Sequence, residues 1–103
     1  MIQVRELFQV KFGHMDELLA VLRTMTEWMT IETDGALRRV LTDASGQMFT
    51  LVLESEAQSI DAYMLTMAAN FNDPRMAEMM AQLMAHVEHG RREFYNIEMR
   101  MGG

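Results

Sequence analysis

Two histidines, His86 and His89, stand three residues apart, a spacing that on a helix can aim both imidazoles at one metal ion. The segment that carries them reads as a helix. Asp73 suits the N-cap, Pro74 the first helical position and Gly90 the C-terminal cap. Between these signals Met76, Met79, Met80, Leu83, Met84 and Val87 make a single apolar stripe. With a turn of about 100° per residue, His86 falls at the edge of that stripe beside Met79. His89 falls nearly opposite, with Glu78 and Gln82. The two rings then diverge and no third ligand is apparent, so no metal site is expected. His89 is expected to sit favourably against the carbonyl end of the helix. The methionines are soft donors suited to Cu(I), but they form the core stripe and would have to turn away from the core to serve a metal.

Trp28, Tyr63 and Tyr95 join an apolar body to a hydrogen-bonding tip. Trp28 lies at the edge of an earlier helical stripe, where it would close a cleft between helices and sheet. The expected ligand-pocket residues are therefore Trp28, Tyr63, Met79, His86 and Tyr95. A second group, Arg5, Glu6, Arg38, Arg39, Glu54, Arg91, Arg92 and Glu93, falls on predicted strands, where charges need partners if buried. Cross-strand pairing is the expected fate of this group. Left unpaired, its arginines would bind an anionic group instead.

The elements that must place these residues follow from periodicity. Ile2 to Lys11 alternates as a strand, with Ile2, Val4, Phe8 and Val10 on one face and Glu6 as a charged intruder among them. Gly13-His14 breaks the run. A helix follows with Asp16 and Glu17 in its first turn and an apolar face of Met15, Leu18, Val21, Leu22, Met25, Trp28 and Met29, ending near Asp34-Gly35. Ala36 to Thr42 and Gln47 to Glu54 are strands joined by the four-residue turn Asp43 to Gly46. Ser55-Glu56-Ala57-Gln58 has the form of a capping box, opening a helix on Ile60, Met64, Met67, Ala68 and Phe71. Arg91 to Met99 is the last strand.

The order is β-α-β-β-α-α-β, which predicts an α+β, ferredoxin-like domain: a four-stranded antiparallel sheet with its helices on one face. The other sheet face would be bare yet carries Leu7 and Val52. A homodimer stacked through the sheet faces is expected, with Arg5, Arg39 and Glu54 among the charges facing the interior between the sheets.

Bulk properties agree with one domain over residues 1–103. A formal charge of −6 argues against nucleic acid or anionic membrane as partner. No apolar run approaches membrane-spanning length, and Ile2 to Lys11 is too polar for a signal sequence, so a cytoplasmic location is expected. The chain has no cysteine, which excludes thiolate metal sites and cysteine nucleophiles within it. Thirteen methionines are the one abnormal count, and their flexible thioethers suit either a tolerant core or an adaptable apolar pocket.

Element order and length, with the phrases Val4-Arg5-Glu6-Leu7-Phe8-Gln9-Val10-Lys11, Arg39-Val40-Leu41-Thr42-Asp43 and Gly90-Arg91-Arg92-Glu93-Phe94-Tyr95, resemble the dimeric α/β-barrel superfamily. The NIPSNAP-like and antibiotic-biosynthesis-monooxygenase-like groups are the most similar. The resemblance implies that two ferredoxin-like subunits close a barrel. It also brings in cofactor-independent monooxygenases, and haem-degrading members that use a helix histidine, a role His86 cannot be aligned to. The function expected is binding of a small apolar or aromatic molecule without a cofactor. The alternatives are a cofactor-independent monooxygenase, in which Trp28 and Tyr95 would orient a phenolic substrate, and a purely structural or protein-interaction module.

Overall fold

β1 (Ile2–Val10) is the spine of the sheet, because both of its edges are paired antiparallel, one with β3 (Thr50–Ala57) and one with β4 (Val87–Asn96). β2 (Leu37–Thr42) adds outside β3, giving the order β2-β3-β1-β4. The computed structural model describes residues 1–27 and 36–102. Three helices complete the chain, α1 (Met15–Thr26), α2 (Ile60–Phe71) and α3 (Pro74–Met84), in the expected β-α-β-β-α-α-β order. The architecture is ferredoxin-like. No helix among the described residues is long and apolar enough to cross a membrane.

Strand alternation sorts side chains between two faces. Ile2, Val4 and Val10 of β1 and Leu51 and Ala57 of β3 are buried under the helices. Val10 and Leu51 join Leu18, Leu22 and Met25 of α1 and Met76 and Leu83 of α3 in the main core cluster. A second cluster gathers Ile2, Val4, Ala57 and Tyr63 of α2, with Met67 and Phe94 against it. Gln3, Arg5, Leu7 and Gln9 point to the other, helix-free face, beside Thr50, Val52 and Glu54 of β3.

Several boundaries differ from the sequence expectation. β4 ends at Asn96 rather than Met99, and the end of α1 expected near Asp34-Gly35 lies outside the described residues. Three others concern β3, the β2–β3 loop and α3. First, β3 runs on to Ala57, so Ser55 is a buried strand residue opposite Val4 rather than an N-cap. The cap is Ser59, whose Oγ accepts the Ala62 N–H at 3.0 Å. Pairing with β1 satisfies the backbone through Ala57, and this outweighs a local capping motif. Ser59→Ala is expected to lower the unfolding free energy by about 1 kcal/mol, read as a lower urea midpoint at unchanged slope.

Second, the loop between β2 and β3 is longer than the expected turn, and Phe49 within it takes a left-handed φ of 58°. Its carbonyl accepts the Val10 N–H at 2.8 Å, which ties the loop to the end of β1.

Third, α3 starts as expected, with Asp73 accepting the Arg75 N–H at 2.9 Å and Pro74 at the first position, but stops at Met84. Val87 to Gly90 belong to β4. The free edge of β1 offers these residues a ladder of backbone hydrogen bonds, whereas one further helical turn would leave that edge unpaired. Gly90 is therefore no helix cap. It stands opposite Phe8 in the sheet, and His89 opposite Gln9.

Candidate functional site

Glu6 is where the apolar face of β1 turns polar. Strand register sets it beside Leu53 on one side and Arg92 on the other, directly beneath the helices. Tyr63, 1% exposed, donates its hydroxyl to Glu6 Oε1 at 2.6 Å. Arg92 Nη2 donates to Glu6 Oε2 at 3.3 Å, and its guanidinium lies 5.4 Å from the centre of the Tyr63 ring. Phe94 meets the same ring edge-on at 5.9 Å. Burial, then the bond to Glu6, pushes the Tyr63 phenol well above its ordinary value. Tyr63 is thus a fixed donor at neutral pH and not a base.

The Glu6–Tyr63 pair lines a cavity of about 60 Å³ between helices and sheet. Its apolar walls include Met25, Met67, Met76 and Met80, with Ser55 and Asn70 as further polar groups. A larger concavity, about 460 Å³, opens on the helix-free face between Leu7, Gln9, Thr50, His89 and Arg91. The first is the stronger ligand-site candidate despite its size, because apolar walls with a few convergent polar groups define a small-molecule site. The second is a shallow depression on a sheet face.

The residues expected at a pocket are dispersed. Tyr63 lines the cavity. Met79 packs against the main core cluster without lining the cavity. Tyr95 lies on the helix-free face, half exposed, and donates to Glu93 Oε1 at 3.0 Å. That bond, before the nearby Arg91, holds the Glu93 carboxyl below its usual value. Trp28 lies outside the described residues. The strand register explains the separation of Tyr63 from Tyr95: Tyr95 pairs with Gln3, an outward position, whereas Phe94 pairs with inward Val4. Glu6 carried a readable signal, a charge interrupting an apolar alternation, but its partner Tyr63 is 57 residues away and only the packing of α2 joins them.

On the helix-free face Arg5 and Arg39 flank Glu54. Arg5 Nε lies 3.2 Å from Glu54 Oε2, and Arg39 Nη2 lies 2.6 Å from Glu54 Oε1. Glu54 is only 6% exposed although it is on the open face, because the two arginine stems cover it. Arg91 and Glu93 pair at 3.2 Å, and Arg100 grips Glu56 through two contacts of 3.0 Å.

His86 sits in the turn between α3 and β4, facing α1, while His89 points to the opposite sheet face. The two do not converge. His86 instead meets His14, with their Nδ1 atoms 2.9 Å apart, and Glu17, whose Oε2 lies 3.6 Å from His86 Nδ1. The sequence reading missed this cluster, because His14 and His86 are separated by 72 residues.

A ferredoxin-like α+β domain with a partly open cavity, lined in part by methionines, under its helices is the class these features define. The chain is similar to a NIPSNAP domain protein from Burkholderia xenovorans, with 16% identity over 93% of each chain and a TM-score of 0.81. A NIPSNAP family protein with unknown function from Agrobacterium tumefaciens matches at 19% identity, covering 91% of this chain and 85% of that one, with a TM-score of 0.76. An antibiotic biosynthesis monooxygenase shares 14% identity over 93% of this chain and 97% of its own, with a TM-score of 0.65. At these identities the likeness is one of fold. The chain matches no family model and no curated protein.

Proposed function

We propose that the protein binds a small apolar or aromatic molecule carrying one hydrogen-bonding group, in the cavity between helices and sheet. The observation that carries this reading is the hydrogen-bonded Glu6–Tyr63 pair set into a wall with four methionines, Glu6 being held by Arg92 outside that wall. An apolar ligand body would lie among Met25, Met67, Met76 and Met80, and a phenol or amine would join the hydrogen bonds of Glu6. The cavity of about 60 Å³ is smaller than the roughly 150 Å³ that accommodates benzene, so binding requires side chains to move. Methionine, with three rotatable bonds and no branch, is the side chain best suited to do so. The same reading includes a homodimer stacked through the helix-free faces, a cytoplasmic location, and neither nucleic acid nor membrane as partner. Leu7, Leu41 and Val52 lie together in the β1, β2 and β3 register on that face, and this apolar strip between paired charges supports the dimer.

Calorimetric titration with p-cresol and with toluene tests the site. Micromolar binding of p-cresol, weakened tenfold or more by Glu6→Gln and stronger than that of toluene, is expected. Absence of binding by both, together with native mass spectrometry that finds no retained small molecule, would falsify it. Met80→Ala is expected to enlarge the cavity and strengthen toluene binding severalfold. The dimer is tested by sedimentation at micromolar concentration, with Leu7→Arg expected to shift the protein toward monomer.

A further inference from the structure

The His14–Glu17–His86 cluster shares no residue with the cavity and is unused by the proposed function. One ligand atom from each of these three side chains lies within 4.8 Å of the other two, and the histidines present their Nδ1 atoms to each other at 2.9 Å. At a metal–nitrogen distance of about 2.1 Å, two ligands at right angles stand about 3.0 Å apart and two at the tetrahedral angle about 3.4 Å. The observed 2.9 Å is close to the right-angle spacing and about 0.5 Å short of the tetrahedral one, so a small parting of the rings admits a tetrahedral ion. The 3.6 Å from His86 Nδ1 to Glu17 Oε2 suits a third ligand at a wider angle. Glu17, with its side chain 68% exposed, is free to close the remaining gap by a rotamer change.

The frame that holds the two imidazoles is ordered before any ion arrives. Gly13, at φ +79°, turns the chain out of β1 and into α1. The His14 N–H donates to the Lys11 carbonyl at 3.0 Å, and its own carbonyl accepts the Leu18 N–H at 3.0 Å. On the other side, the His86 N–H donates to the Leu83 carbonyl at 3.1 Å, and the His86 carbonyl accepts the Lys11 N–H at 2.9 Å. Lys11 thus ties both turns together through its main chain. His14 is the N-cap residue of α1, but its side chain makes no capping hydrogen bond, which leaves the ring free to serve His86. Glu17 follows three residues later on the same turn of α1, as a helical neighbour of His14 should.

We propose that His14, Glu17 and His86 form a binding site for one divalent transition-metal ion of the zinc class. Two imidazole nitrogens and a carboxylate oxygen are donors that zinc, nickel and cobalt favour over magnesium or calcium. Three protein ligands leave at least one coordination position for water. In the metal-free protein the same Nδ1 atoms share a single proton, one donating and the other accepting. The ion takes the place of that proton, which passes to Nε2 of the same ring, and staples the β1–α1 turn to the α3–β4 turn. Two features oppose the ion. The Lys11 ammonium donates to the Ala85 carbonyl at 2.9 Å, beside His86, and the N-terminal end of α1 carries positive partial charge. Asp16 and Glu17 in the first turn offset the latter. With three ligands and these opposing charges the site binds more weakly than a closed four-ligand structural site.

Titration of the metal-free protein with zinc chloride, followed by calorimetry, tests the assignment. One ion per chain is expected, with affinity reduced tenfold or more by His14→Ala and by His86→Ala. Glu17→Gln, at an exposed side chain, is expected to weaken binding severalfold. His89→Ala on the opposite sheet face should leave it unchanged. Imidazole nitrogen chemical shifts of the wild-type protein supply a second readout that needs no variant: zinc should move the Nδ1 resonances of two of the three histidines to metal-bound values. Binding that survives both histidine substitutions, binding lost with His89→Ala, or Nδ1 resonances unmoved by saturating zinc would each overturn the proposal and leave a plain N–H···N bond between two imidazoles.

Discussion

Tyr63→Ala is expected to lower the unfolding free energy by about 3–5 kcal/mol, a large share of the roughly 5–15 kcal/mol available to a domain of this size. Tyr63 is almost wholly buried, with Ile2, Val4 and Ala57 in its cluster and Phe94 edge-on to its ring. Truncation removes that packing and also strips a hydrogen bond from Glu6, whose side chain is only 18% exposed. The helices cannot collapse into the gap without moving Met67, which packs on the same cluster. Tyr63→Phe keeps the ring and isolates the hydroxyl, so it is expected to cost about 1.5–3 kcal/mol, the usual range for a hydrogen bond to a charged acceptor. Urea unfolding of both variants at neutral pH checks the ranking, which fails if Tyr63→Phe proves as damaging as Tyr63→Ala.

The same hydroxyl sets an alkaline limit to stability. Its folded pKa is raised above the unfolded value of 10.0, first by burial and then by Glu6. Above pH 10 the folded state therefore holds a proton that the unfolded state has released. The contribution of Tyr63 is fully present below pH 10 and declines as pH rises toward the folded pKa, with a slope approaching about 1.4 kcal/mol per pH unit. Tyr63→Phe should flatten this decline. Of the two tyrosines, Tyr95 is half exposed and titrates first in the tyrosinate absorbance band, whereas Tyr63 should ionise only with unfolding. A decline above pH 10 that is identical in wild type and Tyr63→Phe would contradict the assignment.

Gly90→Val is the second large effect, a loss of about 1–3 kcal/mol or more. A Cβ at position 90 would come within 2.5 Å of Phe8 Cδ1, 2.9 Å of Cε1 and 3.1 Å of the Leu7 carbonyl oxygen. Glycine in a strand interior is normally a weak choice, and replacing it with a β-branched residue would ordinarily help the strand. Here the ring of Phe8, itself packed against the main core cluster, already occupies the space a side chain would take. Gly90→Ala is expected to show the same sign at smaller size. Phe8→Ala in the Gly90→Val background should recover part of the loss, since it removes the clashing ring. Measured additivity of the two substitutions would show that they do not meet.

Much of the architecture follows from local pattern. Alternation in β1, the Asp73-Pro74 start of α3 and the element order each correspond to what the folded chain contains. The misplaced boundaries share a cause. Ser55 and Gly90 carry strong local signals for a helix start and a helix stop, yet both lie in strands, because the two edges of β1 need partners for their backbone groups. Local capping contributes about 1 kcal/mol, whereas leaving a buried strand edge unpaired costs that much for each orphaned group.

The candidate sites divide along the same line. Composition and periodicity alone determined an acidic, cysteine-free α+β chain rich in flexible methionines, with Glu6 as a charge on a buried face. These are properties of single residues and of neighbours within one element. Which groups meet was decided by tertiary structure. Tyr63 reaches Glu6 across 57 residues, and His14 reaches His86 across 72. The crossovers that lay α1, α2 and α3 on one face of β1 create both encounters, and they also send Tyr95 and His89 to the opposite face. A one-residue step in a strand reverses the face a side chain takes, so membership of a site built across β4 depends on a register that only the paired neighbour supplies.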